Sequence, residues 1–223
     1  MRFKIDIPLD FRQARVGRII KYLILADLFF WGGWGLINPI FALFVVGRIP
    51  GATAFTVGAA LAVYWLVKAV WQIPVAIFLD KHEGERDDFN ALIVGLTIAG
   101  FVALVFPLVN NAFWLFVAVI IQALAYGLYT PSWSAIFSRH LDKDHYAFDW
   151  SLDSTTIGVA SGIAAFIGGA VAGWLGYDAV FILTGLASLA SAVLLFSAPH
   201  LVLPKTVTPG PIIPEHAPGE AKS

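Results

Sequence analysis

Cysteine is absent from all 223 residues, which removes disulfides, thiolate metal sites and iron–sulfur clusters together. Charge is scarce as well. Asp, Glu, Lys and Arg make up 13% of the chain, where a soluble domain carries roughly a quarter. The five histidines (His82, His140, His145, His200 and His216) fall in loops, at span ends or near the C-terminus, so none is placed to serve an intramembrane protease. The one cluster with metal-ligand residue types, His140, Asp142, Asp144 and His145, reads as solvated loop charge. No metal, cofactor, nucleic-acid partner or enzymatic activity is expected.

Apolar sequence fills the space that charge leaves. Hydrophobic residues are 59% of the chain and the mean hydropathy is +0.79. A helix needs about 20 predominantly apolar residues to cross the hydrocarbon core, and six such stretches occur at 22–46, 55–79, 90–109, 112–137, 153–175 and 178–199. They are continuous, rich in Leu, Ala, Val and Phe, and lack the ten-residue alternation of a membrane β-barrel. The expected fold is an all-α integral membrane protein of six transmembrane helices. The first stretch is too long for a signal-peptide core and should be retained. Three segments follow: a basic N-terminal segment at 1–21, the six-helix domain at 22–200, and a proline-rich tail at 201–223 that reads as disordered.

Lys and Arg are distributed one-sidedly. The N-terminal segment, the loops after spans two and four, and the tail together hold twelve, against Arg48 alone in the three opposite loops. The positive-inside rule then places both termini in the cytoplasm of a cell-membrane protein. A chain that inserts one way can pair with its own copy only in parallel, about an axis along the membrane normal.

Helical periodicity marks the faces that turn away from lipid. Asp27, Trp31, Trp34 and Asn38 form one stripe on span one, and Gln122, Tyr126, Tyr129 and Trp133 repeat its spacing on span four. Span two gathers Tyr64, Trp65, Trp71 and Gln72 around Lys68, and span five starts a stripe at Asp149 and Asp153 that runs on to Thr156. Span three carries one threonine and no charge, Trp or Tyr, and span six has small hydroxyl residues such as Thr184, Ser188 and Ser191. Spans one, two, four and five are therefore expected to line a cavity or interface, with three and six facing lipid.

Plainer readings compete for several of these residues. Trp114, Trp133 and Trp174 suit interfacial anchoring, and Asp149 reads best as a hydrated carboxylate at a helix N-terminus. Small residues repeat along span five at Ser161, Ala165, Gly169 and Gly173, with Gly158 and Gly162 alongside, which suits close helix packing. Lys68 is the hardest to explain blandly. It sits about twelve residues from either end of span two, near the midplane, where a charge costs at least ~2.5–3.5 kcal/mol. It is either a substrate or coupling group, or half of a structural charge pair with Asp27, with Trp65 and Trp71 able to stack on it. Asn38–Pro39 should kink span one.

This pattern resembles the major facilitator superfamily, specifically its N-terminal six-helix half. The segment AIFLDKHEGERDD is similar to the family's signature cytoplasmic loop: Asp80, Lys81, Gly84 and Arg86 correspond, Ala76 replaces a glycine, and one extra residue precedes Gly84. With Pro131 aligned to the fourth helix's proline, Gln122 and Gly127 match, but Val119 stands where many members have an arginine associated with proton coupling. GGAVAGWLGYDAVF matches the exit of helix five, without the Gly-Pro pair of the antiporters. The resemblance implies a half-size secondary transporter of a small molecule, working by alternating access as a parallel homodimer or with a second six-helix half. Its implied substrate and coupling residues are Lys68, Asp27, Asn38, Trp31, Trp34, Trp65, Gln72, Gln122, Tyr126, Tyr129 and Asp153, with Asp80, Lys81, Gly84 and Arg86 as a gating loop. A cation contributed twice about a twofold axis would favour an anionic substrate. The alternative is a scaffold, receptor or accessory subunit that keeps the fold without transporting.

Overall fold

A computed structural model describes residues 17–81, 85–141 and 145–197. The tail at 201–223, Gly84 and most of the 1–21 segment lie outside the described residues. Helices account for nearly all of the rest: α1 (Arg18–Ile37), α2 (Phe41–Arg48), α3 (Ala54–Asp80), α4 (Arg86–Val105), α5 (Ala112–Arg139), α6 (Tyr146–Leu175) and α7 (Tyr177–Ser197). Six helices are long and apolar enough to cross a membrane, and no strand occurs among the described residues.

The first span is broken where the proline predicts. Pro39 has no N–H to offer the Gly35 carbonyl. The chain turns through Asn38–Ile40, held by Asn38 N to Trp34 O at 3.3 Å and Ile40 N to Ile37 O at 2.9 Å, before α2 resumes the direction. Pro74 and Pro131 lie inside α3 and α5 without ending them. At the start of α5 the Asn111 carboxamide oxygen accepts the Trp114 N–H at 3.0 Å. Gly176, at φ +82°, forms the one-residue joint between α6 and α7, a conformation that a Cβ would strain. The fifth span begins at Tyr146, seven residues before the apolar stretch suggests, because the polar turn holding Asp149 is helical too.

The helices pack in the spatial order α3, α5, α4, α7, α1, α6. Small residues set the closest approaches. A Cβ on Gly168 would stand 2.2 Å from the Leu36 carbonyl oxygen, and one on Gly35 would stand 2.8 Å from the Ser161 Cα. The hydroxyls of α7 are not turned to lipid: Thr184 donates to Gly33 O at 2.7 Å and Ser191 to Ala26 O at 2.8 Å. Each satisfies a buried hydroxyl on the backbone of α1, one way small polar residues join helices in an apolar medium.

The series is open between its ends. Only 6% of the apolar stretch of α3 and 17% of that of α6 is buried inside the molecule, against 44 or 50% for the other four spans. The second and fifth spans are thus the exposed edges of the bundle, and the third and sixth lie at its back, each with one packed face and one exposed apolar face. Gly158, Gly162, Gly169 and Gly173 face open space; of the expected ridge Ser161 packs against α1, beside Ala164 and Gly168.

Candidate functional site

A cavity of about 300 Å³ opens among α1, α2, α3 and α5. The broken first span places Trp31, Trp34 and Asn38 on its wall, α3 contributes Tyr64, Trp65 and Lys68, and α5 contributes Gln122 and Tyr126. Eight of the residues predicted from the polar stripes thus meet in one space. Gln72 lies one turn beyond Lys68 on α3 and does not line it.

Lys68 is held by aromatic faces. Its Nζ lies 5.3 Å from the Trp65 ring centroid and 5.8 Å from that of Tyr126, a distance at which a ring quadrupole attracts a cation. No carboxylate lies within ion-pair distance of it among the described residues, and none of the cavity-lining residues is acidic. The predicted Lys68–Asp27 pair does not form. Asp27 is 2% exposed, and its Oδ1 accepts the Tyr129 hydroxyl at 2.6 Å. That hydroxyl in turn accepts the Trp31 Nε1–H at 3.2 Å, so a hydrogen-bonded chain runs from Asp27 to the cavity wall. Tyr129 is a second-layer residue and does not line the cavity. Asp153 is buried near Asp27 on the neighbouring α6, close enough for the two carboxyls to interact electrostatically.

Aromatic packing frames the cavity. Phe30 lies 4.6 Å from Tyr129 and 5.2 Å from Tyr126, ring centre to ring centre, and Tyr126 meets Trp34 edge-on at 5.5 Å. Trp133, expected as an interfacial anchor, is instead buried and stacked on Phe137 at 4.5 Å. Asp149 is also buried, at 1% exposure, and is not a hydrated helix-end carboxylate. In both cases the early start of α6 covers the end of the bundle that simple span-counting leaves open to water. Trp114 and Trp174 are exposed, as anchors would be.

The 81–85 connection offers chemistry its motif residues did not signal. Asp80, Lys81 and Arg86 are exposed. The side chains that engage are Asp88, buried and ion-paired with Arg139, and Glu85, whose Oε2 lies 3.5 Å from His140 Nε2. Together they tie the start of α4 to the end of α5. Burial raises the Glu85 carboxyl above its ordinary range, the charges of His140 and Arg139 oppose that shift, and Asp88 reinforces it. Alternating hydrophobicity could not find this cluster, because it joins two loop ends some fifty residues apart. At the opposite end of the bundle Arg48 donates to Pro107 O at 2.9 Å and lies 3.6 Å from Asp178, joining three helix ends.

The sequence matches the family profile described as Major Facilitator Superfamily over residues 23–218. The chain belongs to the major facilitator superfamily. A solved structure with the same fold, the in meso crystal structure of the POT family transporter PepTSo, superposes with a TM-score of 0.65 at 14% sequence identity. That match covers 85% of this chain and 39% of the other, so the chain spans well under half the length of this relative. No curated protein matches the sequence. As a superfamily member the chain is a multi-pass membrane protein.

Proposed function

We propose that this chain is one six-helix half of a secondary transporter, inserted with both termini in the cytoplasm and completed by a second, parallel copy of itself. The observation that carries the reading is the open side of the bundle. α3 and α6 are apolar, scarcely buried and at opposite ends of the helix series, and a twofold axis along the membrane normal brings α3 of one copy toward α6 of the other. One-sided Lys and Arg support parallel insertion.

The Lys68 cavity would then face its symmetry mate across the axis, and rocking of the two units would expose the shared space to each side in turn. A desolvated ammonium without a carboxylate partner suits a small anion. The test is uptake of radiolabelled organic acids into proteoliposomes, comparing wild type with Lys68→Ala. Saturable uptake that Lys68→Ala abolishes while leaving the protein folded is expected. Absence of uptake by the wild type across such a panel would favour a non-transporting subunit on the same fold.

A further inference from the structure

The indole N–H of Trp34 has no acceptor among the described residues. Trp34 is 6% exposed, its Nε1 is buried without a hydrogen-bond partner, and it lines the Lys68 cavity. Trp31, three residues earlier on the same wall, is the contrast: its Nε1–H is satisfied by Tyr129. An indole N–H and an ammonium can only donate, and a buried donor left unmade costs free energy that a ligand acceptor would recover. No lining residue is acidic, and the nearby Asp27 directs Oδ1 to Tyr129, behind the wall.

Two donors without acceptors among the described residues thus belong to residues that line one space, whose other walls are aromatic and aliphatic, with the carboxamides of Asn38 and Gln122 as further polar groups. Tyr64 meets Trp65 edge-on at 5.2 Å and Tyr126 at 5.8 Å, and Trp65 and Tyr126 flank the ammonium. At about 300 Å³ the cavity is at the small end of the ~300–1,000 Å³ range of ligand pockets. One ring with one charged group fits the space that one copy provides.

We propose that the cavity recognises a small monocarboxylate with a flat, apolar body, its carboxylate taken by Lys68 Nζ and Trp34 Nε1 and its body by the aromatic walls. The inference rests on reading this cavity as the substrate site, and names the class of substrate.

Benzoate is the probe, with benzamide as its neutral isostere and benzylamine as the cation. Binding is read on the purified full chain in nanodiscs by tryptophan fluorescence and by the shift in thermal unfolding. Benzoate is expected to bind at least about tenfold more tightly than benzamide, and benzylamine not at all. Lys68→Gln should remove the preference for benzoate over benzamide. Trp34→Phe, which keeps a ring and deletes the donor, should weaken benzoate about tenfold while leaving benzamide unchanged, and it decides the matter if Lys68→Gln fails to fold. Equal affinity for the three probes, no benzoate binding, or a benzoate affinity unmoved by Trp34→Phe would overturn the proposal. Wild-type protein that binds benzoate with this selectivity yet shows no organic-acid uptake would sustain the recognition and contradict the transport reading, so the two fail separately.

Discussion

Asp27 and Tyr129 come from helices a hundred residues apart, and their 2.6 Å hydrogen bond is buried beside the cavity. In a low-dielectric interior a carboxyl oxygen stripped of its donor costs its full desolvation. Tyr129→Phe removes that donor and leaves Trp31 Nε1 without its acceptor, so a loss of about 1–3 kcal/mol is expected, read as a lower thermal unfolding midpoint. Asp27→Asn keeps an oxygen acceptor for Tyr129 and removes the carboxyl, and should cost less. Periodicity alone placed Asp27, Trp31, Trp34, Lys68 and Tyr126 toward the middle of the bundle, because a 3.6-residue repeat reports which face is inward. It could not report pairing. Asp27 looked like the partner of Lys68 because both lie on facing stripes, yet a tyrosine one layer back takes the carboxylate and leaves the lysine to the rings.

Helix contacts were legible where sequence carried small residues, but not which side of a helix used them. α6 shows both outcomes. A Cβ at Gly168 would meet the Leu36 backbone at 2.2 Å, whereas Gly158 and Gly162 have nothing within 4 Å. Gly168→Ala should therefore push α1 and α6 apart and cost about 1–3 kcal/mol, while Gly162→Ala should leave the unfolding midpoint of the isolated six-helix unit unchanged. Comparing detergent-solubilised variants by differential scanning fluorimetry checks both. The α4–α5 junction has its own test. Glu85 binds its proton more tightly in the folded chain than in the unfolded one. Its contribution to stability is thus fully present below the ordinary glutamate range and is lost as pH rises through its higher folded value. Stability measured across that mildly acidic window should fall more steeply with rising pH in wild type than in Glu85→Gln. This cluster was invisible beforehand because the loop motif directs attention to Asp80, Lys81 and Arg86, all exposed, while the residues that bond are Glu85, Asp88, Arg139 and His140.

At the scale of the molecule, the six spans and their membrane class follow from apolar length alone. The order of packing does not: absence of charge in spans three and six does not report that α4 and α7 meet through Gly100 and Gly185, or that α7 bonds to the α1 backbone through Thr184 and Ser191. The edges that remain are α3 and α6, which a second copy is proposed to cover. Native mass spectrometry of the full chain released from lipid nanodiscs tests this most directly. A dimer that persists at low protein concentration is expected, and paired cysteines introduced on the exposed faces of α3 and α6 into this naturally cysteine-free chain should cross-link between copies. A monomer at every concentration, with no α3–α6 cross-link, would contradict it.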